Sequence, residues 1–236
     1  MATVRTHKIS RLEEFSDAVF GFALTLLVIT ASVPRSYDEL TTLLQGIPSF
    51  ACCFALLVWI WYEHDAFFEW FPLQDGRTVL LNSLLLFAVL LYIYPLKFMF
   101  DSFMFQVFGL RTNPPVVGMS LEQLARASIV YGLGYFVLMS LFALLYLNAL
   151  RQRESLGLNP LQVFDTKAQA AHHTLSAGVG LFAMAFAILA PRRLAFLSPA
   201  SFGLLGPGHA VLGVMLGRRK ARLEAAAAAA TRLETT

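Results

Sequence analysis

Six stretches of this chain, residues 16–33, 43–68, 78–100, 127–150, 172–190 and 196–216, are predominantly apolar, and each is 18 residues or longer. About 20 apolar residues in a helix span the roughly 30 Å hydrocarbon core of a bilayer. Inside that core a backbone must satisfy its own hydrogen bonds, so runs of this length fold as helices. The composition agrees: 57% of residues are hydrophobic and 14% are charged, against about 25% charged in average proteins. The fold class read from these runs is all-α, an integral membrane protein with six transmembrane helices per subunit. Residues 1–220 form one six-helix domain, and 221–236 an alanine-rich cytoplasmic tail. The sixth run is the weakest, with Pro199, Gly203, Gly206, Pro207 and Gly208 inside it.

Charge orients the helices and excludes several functions. Six spans put both termini on one side. With the N-terminus inside, twelve of the 18 lysines and arginines fall on the inner side. Cationic excess marks the cytoplasmic face, so both termini are expected in the cytoplasm of a multi-pass cell-membrane protein. The N-terminus lacks the form of a signal peptide. The net charge is only +3 and no basic stripe is interleaved with aromatics, so no nucleic-acid partner is expected. Cys52 and Cys53 are adjacent on one helix, point about 100° apart, and read as small apolar residues. Glu63-His64-Asp65 and His172-His173 diverge for the same reason and do not make a metal site. No nucleophile elbow or phosphate-cradling loop is present, so neither an enzyme nor a cofactor is expected.

Residues 11–30, RLEEFSDAVFGFALTLLVIT, are the most informative stretch. Ser10 and Glu13 have capping-box spacing, which starts a helix at Ser10, and Pro34 gives it an end. Such a helix is about 36 Å long at 1.5 Å per residue. Phe22, Thr25, Leu26 and Ile29 fall at i, i+3, i+4 and i+7 and so share one face. Periodicity alone makes this a packing face. Asp17 lies about 140° around the helix from Phe22 and needs a polar partner at membrane depth. His64 and Asn82 are the candidates on the next two helices.

The stretch also carries a resemblance. Arg11-x-x-x-Phe15-Ser16-Asp17, continued through Ala18 to Val28, resembles the RxxxFSD signature of the TMEM175 family of lysosomal and prokaryotic potassium channels. Trp61-x-x-His64 and Asn82 are similar to that family's second- and third-helix residues. The resemblance implies a potassium-selective channel that assembles as a homo-tetramer in the lipid bilayer, conducts potassium ions and lines its pore with the first helix. It further implies that Phe22, Leu26 and Ile29 form the apolar constriction and that Thr25 forms the selectivity layer. Arg11, Phe15, Ser16, Asp17, His64 and Asn82 would form the motif network that fixes the pore helix. Phe22 departs from the Ile or Leu more usual at its position, which alters the radius of the constriction and leaves its apolar chemistry intact. A pore of this kind closes by dewetting.

The rival reading is a secondary or proton-coupled transporter. That reading needs a broken helix near the midplane and paired intramembrane acids. Residues 199–208 offer the first weakly, and no internal repeat supports it.

Overall fold

The computed structural model describes residues 10–30, 33–112, 118–194 and 197–234, except the side chains of Arg192 and residues 226–234. The described residues form helices and no strand: α1 (Arg11–Ile29), α2 (Tyr37–Gln45), α3 (Ile47–Trp70), α4 (Gly76–Phe108), α5 (Leu121–Arg151), α6 (Pro160–Leu189), α7 (Leu197–Ala200) and α8 (Leu205–Glu234). Tight 3₁₀ turns at Arg192–Leu194 and Ser201–Leu204 flank α7.

Five stretches are long and apolar enough to cross a membrane: α3, α4, α5, α6 and Leu197–Ala225. Helix α1 is not among them. Arg11, Glu13, Glu14 and Asp17 crowd its first two turns, so its apolar part is only residues 18–29, about 18 Å long.

Side-chain caps set the helix ends. Ser10 Oγ accepts from the Glu13 amide at 3.2 Å, and the Glu13 carboxylate accepts from the Ser10 amide at 3.4 Å, closing the expected capping box. The helix ends at Ile29, with Thr30 as C-cap, short of the expected end at 33; Ala31 and Ser32 lie outside the described residues. Four other expectations are revised. Residues 34–42, which separate the first two apolar runs, contain most of α2, started by Ser36 Oγ accepting from the Glu39 amide. The third apolar helix continues through Pro95 to Phe108 and stops at Gly109, whose φ of 67° suits a residue without Cβ. Helix α5 begins at Leu121, where Ser120 and Gln123 form a capping box. Helix α6 begins at Pro160, capped by Asn159, so much of the stretch 151–171 between the fourth and fifth apolar runs is helical. Asn113-Pro114-Pro115, whose prolines disfavour a continuing helix, and the expected start of the last run at Phe196 lie outside the described residues.

Helix α1 packs on α3 and α4, and α5 packs between α4 and α6. The core between α1, α3 and α4 holds Phe20, Ala23, Leu27, Leu57, Leu85 and Val89. A ring cluster of Phe67, Phe71 and Tyr146 joins α3 to α5 through edge contacts, with Phe67 and Tyr146 centroids 5.1 Å apart. Helices α5 and α6 touch backbone to backbone: a Cβ on Gly132 would lie 2.8 Å from the Gly180 carbonyl oxygen and from the Met184 amide nitrogen. After α6 the chain folds back beside it. Ser198 Oγ donates to the Ala183 carbonyl at 2.9 Å, and Lys220 on α8 pairs with Asp165 at 2.8 Å.

Candidate functional site

Helix α1 has two unlike faces. Ser16, Phe20, Ala23 and Leu27, at i, i+4, i+7 and i+11, are buried against α3 and α4. On the other side Phe15, Phe22 and Ile29 are 58%, 55% and 69% exposed. Ala18 and Thr25 are exposed with them, and Leu26 lies half-buried at the edge of the core. Thr25 Oγ1 donates to the Gly21 carbonyl at 3.0 Å. The hydroxyl hydrogen is therefore committed to the helix itself, and the oxygen lone pairs are what Thr25 presents outward.

A buried relay holds the inner face. Ser16 Oγ donates to the Leu12 carbonyl at 2.7 Å, which leaves its lone pairs to accept from Asn82 Nδ2 at 2.9 Å. Asn82 Oδ1 lies 2.7 Å from His64 Nε2. Because the Asn82 amide nitrogen is the donor to Ser16, its oxygen must accept, and His64 carries its proton on Nε2. Ser16 and Asn82 are 0% exposed and His64 is 2% exposed. The His64 ring sits between Phe20 and Phe68, with centroids at 5.4 and 4.8 Å. Three helices thus meet through one directional chain of hydrogen bonds between buried side chains.

Asp17 is held separately. Trp61 Nε1 donates to its carboxylate at 2.8 Å. Trp61 stands one turn before His64 on α3, and neither His64 nor Asn82 bonds Asp17. A cavity of about 460 Å³ beside this pair, between α1 and α3, is lined by Asp17, Phe20, Gly21, Leu24, Leu57 and Trp61 among others. Arg11 is exposed and, among the described residues, has no hydrogen bond or ion pair within the subunit. Of the motif residues, Ser16, His64 and Asn82 thus come together, Asp17 stands beside them on Trp61, and Arg11 and Phe15 face outward.

Three polar groupings went unread in the sequence. Asp101 accepts from Lys97 and from Ser49, joining α4 to the start of α3 with both charged side chains largely buried. Lys97 and Asp101 stand at i, i+4 in an apolar helix, and that pattern was a visible signal. Glu63 approaches His173 Nε2 at 3.6 Å, while His173 stacks on Phe142 and Tyr146. His172 Nδ1 and Ser176 Oγ each lie 2.8 Å from a ring nitrogen of His209. Glu63, His64 and Asp65 diverge: the first reaches toward α6, the second toward α4, and the third is exposed. Among the described residues no three His, Cys, Asp or Glu side chains converge as metal ligands.

Comparison with known proteins places this arrangement. A family profile described as endosomal/lysosomal potassium channel TMEM175 matches residues 11–92. That stretch contains Ser16, Asp17, Trp61, His64 and Asn82. A potassium channel of Marivirga tractuosa is 35% identical over 223 residues, 91% of this chain and 90% of the relative. The chain belongs to the TMEM175 family. Its fold agrees with a crystal structure of a variant of the potassium channel MtTMEM175 bound to a nanobody–MBP fusion protein. The two are 32% identical with a TM-score of 0.78, over 92% of this chain and 96% of that one. A lysosomal potassium-selective channel TMEM175 homologue from Chamaesiphon minutus has the same fold at a TM-score of 0.56 and 22% identity, over 89% of this chain and 96% of that one. With five membrane-length helices and these relatives, the TMEM175 member described here is a multi-pass membrane protein.

Proposed function

We propose that the chain is one subunit of a homo-tetrameric, potassium-selective channel whose pore is lined by α1. Six helices per subunit then lie in the membrane, α1 and the five long apolar stretches, with both termini cytoplasmic. The observation that carries this reading is the face of α1 bearing Phe15, Ala18, Phe22, Thr25 and Ile29. It is exposed although the opposite face, Ser16, Phe20, Ala23 and Leu27, is buried in the subunit core. A single helix cannot enclose a pore, so copies of this face would have to converge.

On that axis Phe22, Leu26 and Ile29 make apolar rings one to two turns apart, and Thr25 stands between them. Phenyl rings that meet at the axis expel water and block ions. The Thr25 oxygens turn lone pairs toward the axis, the sign needed to replace part of a cation's hydration shell. The Ser16–Asn82–His64 relay and the Asp17–Trp61 bond fix the rotation of α1, which decides which residues reach the axis.

The names of the relatives supply the ion: potassium for the Marivirga protein and for MtTMEM175. Purified protein in liposomes tests the reading. A channel passes potassium passively along an imposed membrane potential, with a reversal potential displaced toward potassium against sodium. Flux that needs a counter-transported proton would replace the channel by a carrier.

A further inference from the structure

We propose that the groove between α4 and α5, with Arg77 and Arg151 at its mouth, binds an anionic phospholipid of the cytoplasmic leaflet. The groove holds about 190 Å³ and its floor is Leu80, Leu81, Leu144 and Leu147, with Asn148 beside Arg151. On α4, Arg77, Leu80 and Leu81 stand at i, i+3 and i+4. On α5, Leu144, Leu147, Asn148 and Arg151 stand at i, i+3, i+4 and i+7. Each helix therefore turns one continuous stripe into the groove. Leu80, Leu144 and Leu147 remain 59%, 45% and 43% exposed.

Both arginines are at the same end of this antiparallel pair: Arg77 is the second residue of α4 and Arg151 the last of α5. Both are exposed, and among the described residues neither has an acidic partner in the subunit. Asp75, two residues before Arg77, is already engaged. It accepts from the Arg77 and Thr78 amides, Thr78 Oγ1, Asn148 Nδ2 and Gln152 Nε2. Two unpaired guanidiniums above an apolar trough match a phosphate headgroup above an acyl chain. Guanidinium binds phosphate oxygens in a planar fork, and basic pockets between helices at the cytoplasmic face are suited to acidic headgroups.

The inference rests on the orientation given above, which puts the α3–α4 turn at the cytoplasmic face, but its readout is lipid binding and not ion flux. Delipidated, detergent-purified full-length protein is titrated with phosphatidylglycerol or phosphatidylcholine, and bound lipid is counted by native mass spectrometry. Phosphatidylglycerol is expected to bind more tightly. Arg77→Gln with Arg151→Gln should weaken it roughly tenfold or more, and Arg77→Lys with Arg151→Lys, which keeps the charge and loses the fork, should weaken it less. Leu144→Trp, which fills the trough and leaves both charges, should weaken it too. Arg126→Gln, at the other end of α5, serves as control and should change nothing.

Three results would overturn the proposal. Equal binding of the two lipids would remove the headgroup. Competition by inorganic phosphate at the lipid's own affinity would show an anion site without an acyl trough. Loss of oligomer in the double glutamine variant, measured in lipid-free detergent, would make the groove a contact between subunits.

Discussion

Asn82 donates its amide to Ser16 Oγ at 2.9 Å across the α1–α4 contact, and both side chains are completely shielded from solvent. The bond fixes the rotation of α1 about its axis, because Ser16 is the only polar side chain on that helix's buried face. Asn82→Leu would leave the Ser16 hydroxyl without its donor and the His64 Nε2–H without its acceptor. An unsatisfied buried group costs about 1–3 kcal/mol. Thermal unfolding in detergent should show Asn82→Leu markedly less stable than wild type, with Ser16→Ala milder. A melting temperature unchanged in Asn82→Leu would show that the relay does not hold α1.

Arg11 and Asp17 should behave differently from one another. Asp17 is anchored within the subunit by Trp61, so Trp61→Phe, which removes the indole N–H and keeps an aromatic body, should lower subunit stability by about 1–2 kcal/mol. Arg11 has no such partner in its own subunit among the described residues. Arg11→Ala should therefore leave the melting of the subunit nearly intact and reduce oligomer content or flux. Size-exclusion with light scattering separates the two. Dissociated but folded Arg11→Ala is the expected result, and a full complement of active oligomer would refute a role between subunits.

The α5–α6 contact sets a third expectation. A methyl at Gly132 must push against the Gly180 carbonyl and the Met184 amide, both at 2.8 Å and both backbone. Overpacking against backbone costs about 1–3 kcal/mol. Gly178→Ala, one residue pair away with nothing within 4 Å, should instead stabilise α6 by up to about 1 kcal/mol, the helix-propensity gain of Ala over Gly. Opposite shifts in melting temperature for the two variants check this. A neutral Gly132→Ala would mean that the helices separate freely.

Asp75 gives a pH dependence. Burial pushes its carboxyl up, but hydrogen bonds from Thr78, Gln152 and Asn148 outweigh that and hold it at about 2, below its ordinary 3.8. A depressed value means the folded state favours the ionised form. The stabilisation is thus fully present above about pH 4 and is lost as pH falls from 3.8 toward 2. Asp75→Asn keeps a capping oxygen and loses the charge. The melting-temperature gap between wild type and Asp75→Asn should be constant from pH 7 to 5 and close below pH 4. A gap undiminished at pH 2.5 would assign the difference to geometry and not to ionisation.

The sequence made the membrane-length helices legible and left their ends obscure, for a physical reason. Hydropathy marks the part of a helix inside the bilayer, whereas caps mark where the helix starts. Helices α5 and α6 begin at Ser120 with Gln123 and at Asn159 with Gln162, well before their apolar runs. Helix α2 begins at Ser36 with Glu39 in the same spacing, and it buries no residue, so no apolar stripe drew attention to it. For the site, the family resemblance pointed to Ser16, His64 and Asn82, but not to the α3 residue that meets Asp17. Trp61 and His64 share a face at i, i+3, and only the depth of α1 against α3 chooses between them. Arg11 was unreadable for another reason: among the described residues its own subunit offers it no partner.

The last prediction concerns conduction. Phe22 is exposed on α1 one turn beyond Ala18, and Thr25 follows on the same side. If four copies of this face surround an axis, the phenyl rings form an apolar ring that excludes water when closed. Phe22→Ala widens that ring and Phe22→Asn wets it, so either should raise basal potassium flux in liposomes. Thr25→Val removes the hydroxyl and keeps nearly the same shape. It also breaks the bond to the Gly21 carbonyl, which costs the exposed helix little, so the subunit should fold normally. Potassium should then lose its advantage over sodium while flux continues. A tenfold preference corresponds to about 1.4 kcal/mol, within reach of a few oxygen contacts acting together. Reversal potentials under opposed potassium and sodium gradients measure it. A Thr25→Val potential equal to wild type would move selectivity to another layer, and unchanged flux in both Phe22 variants would take α1 off the axis altogether.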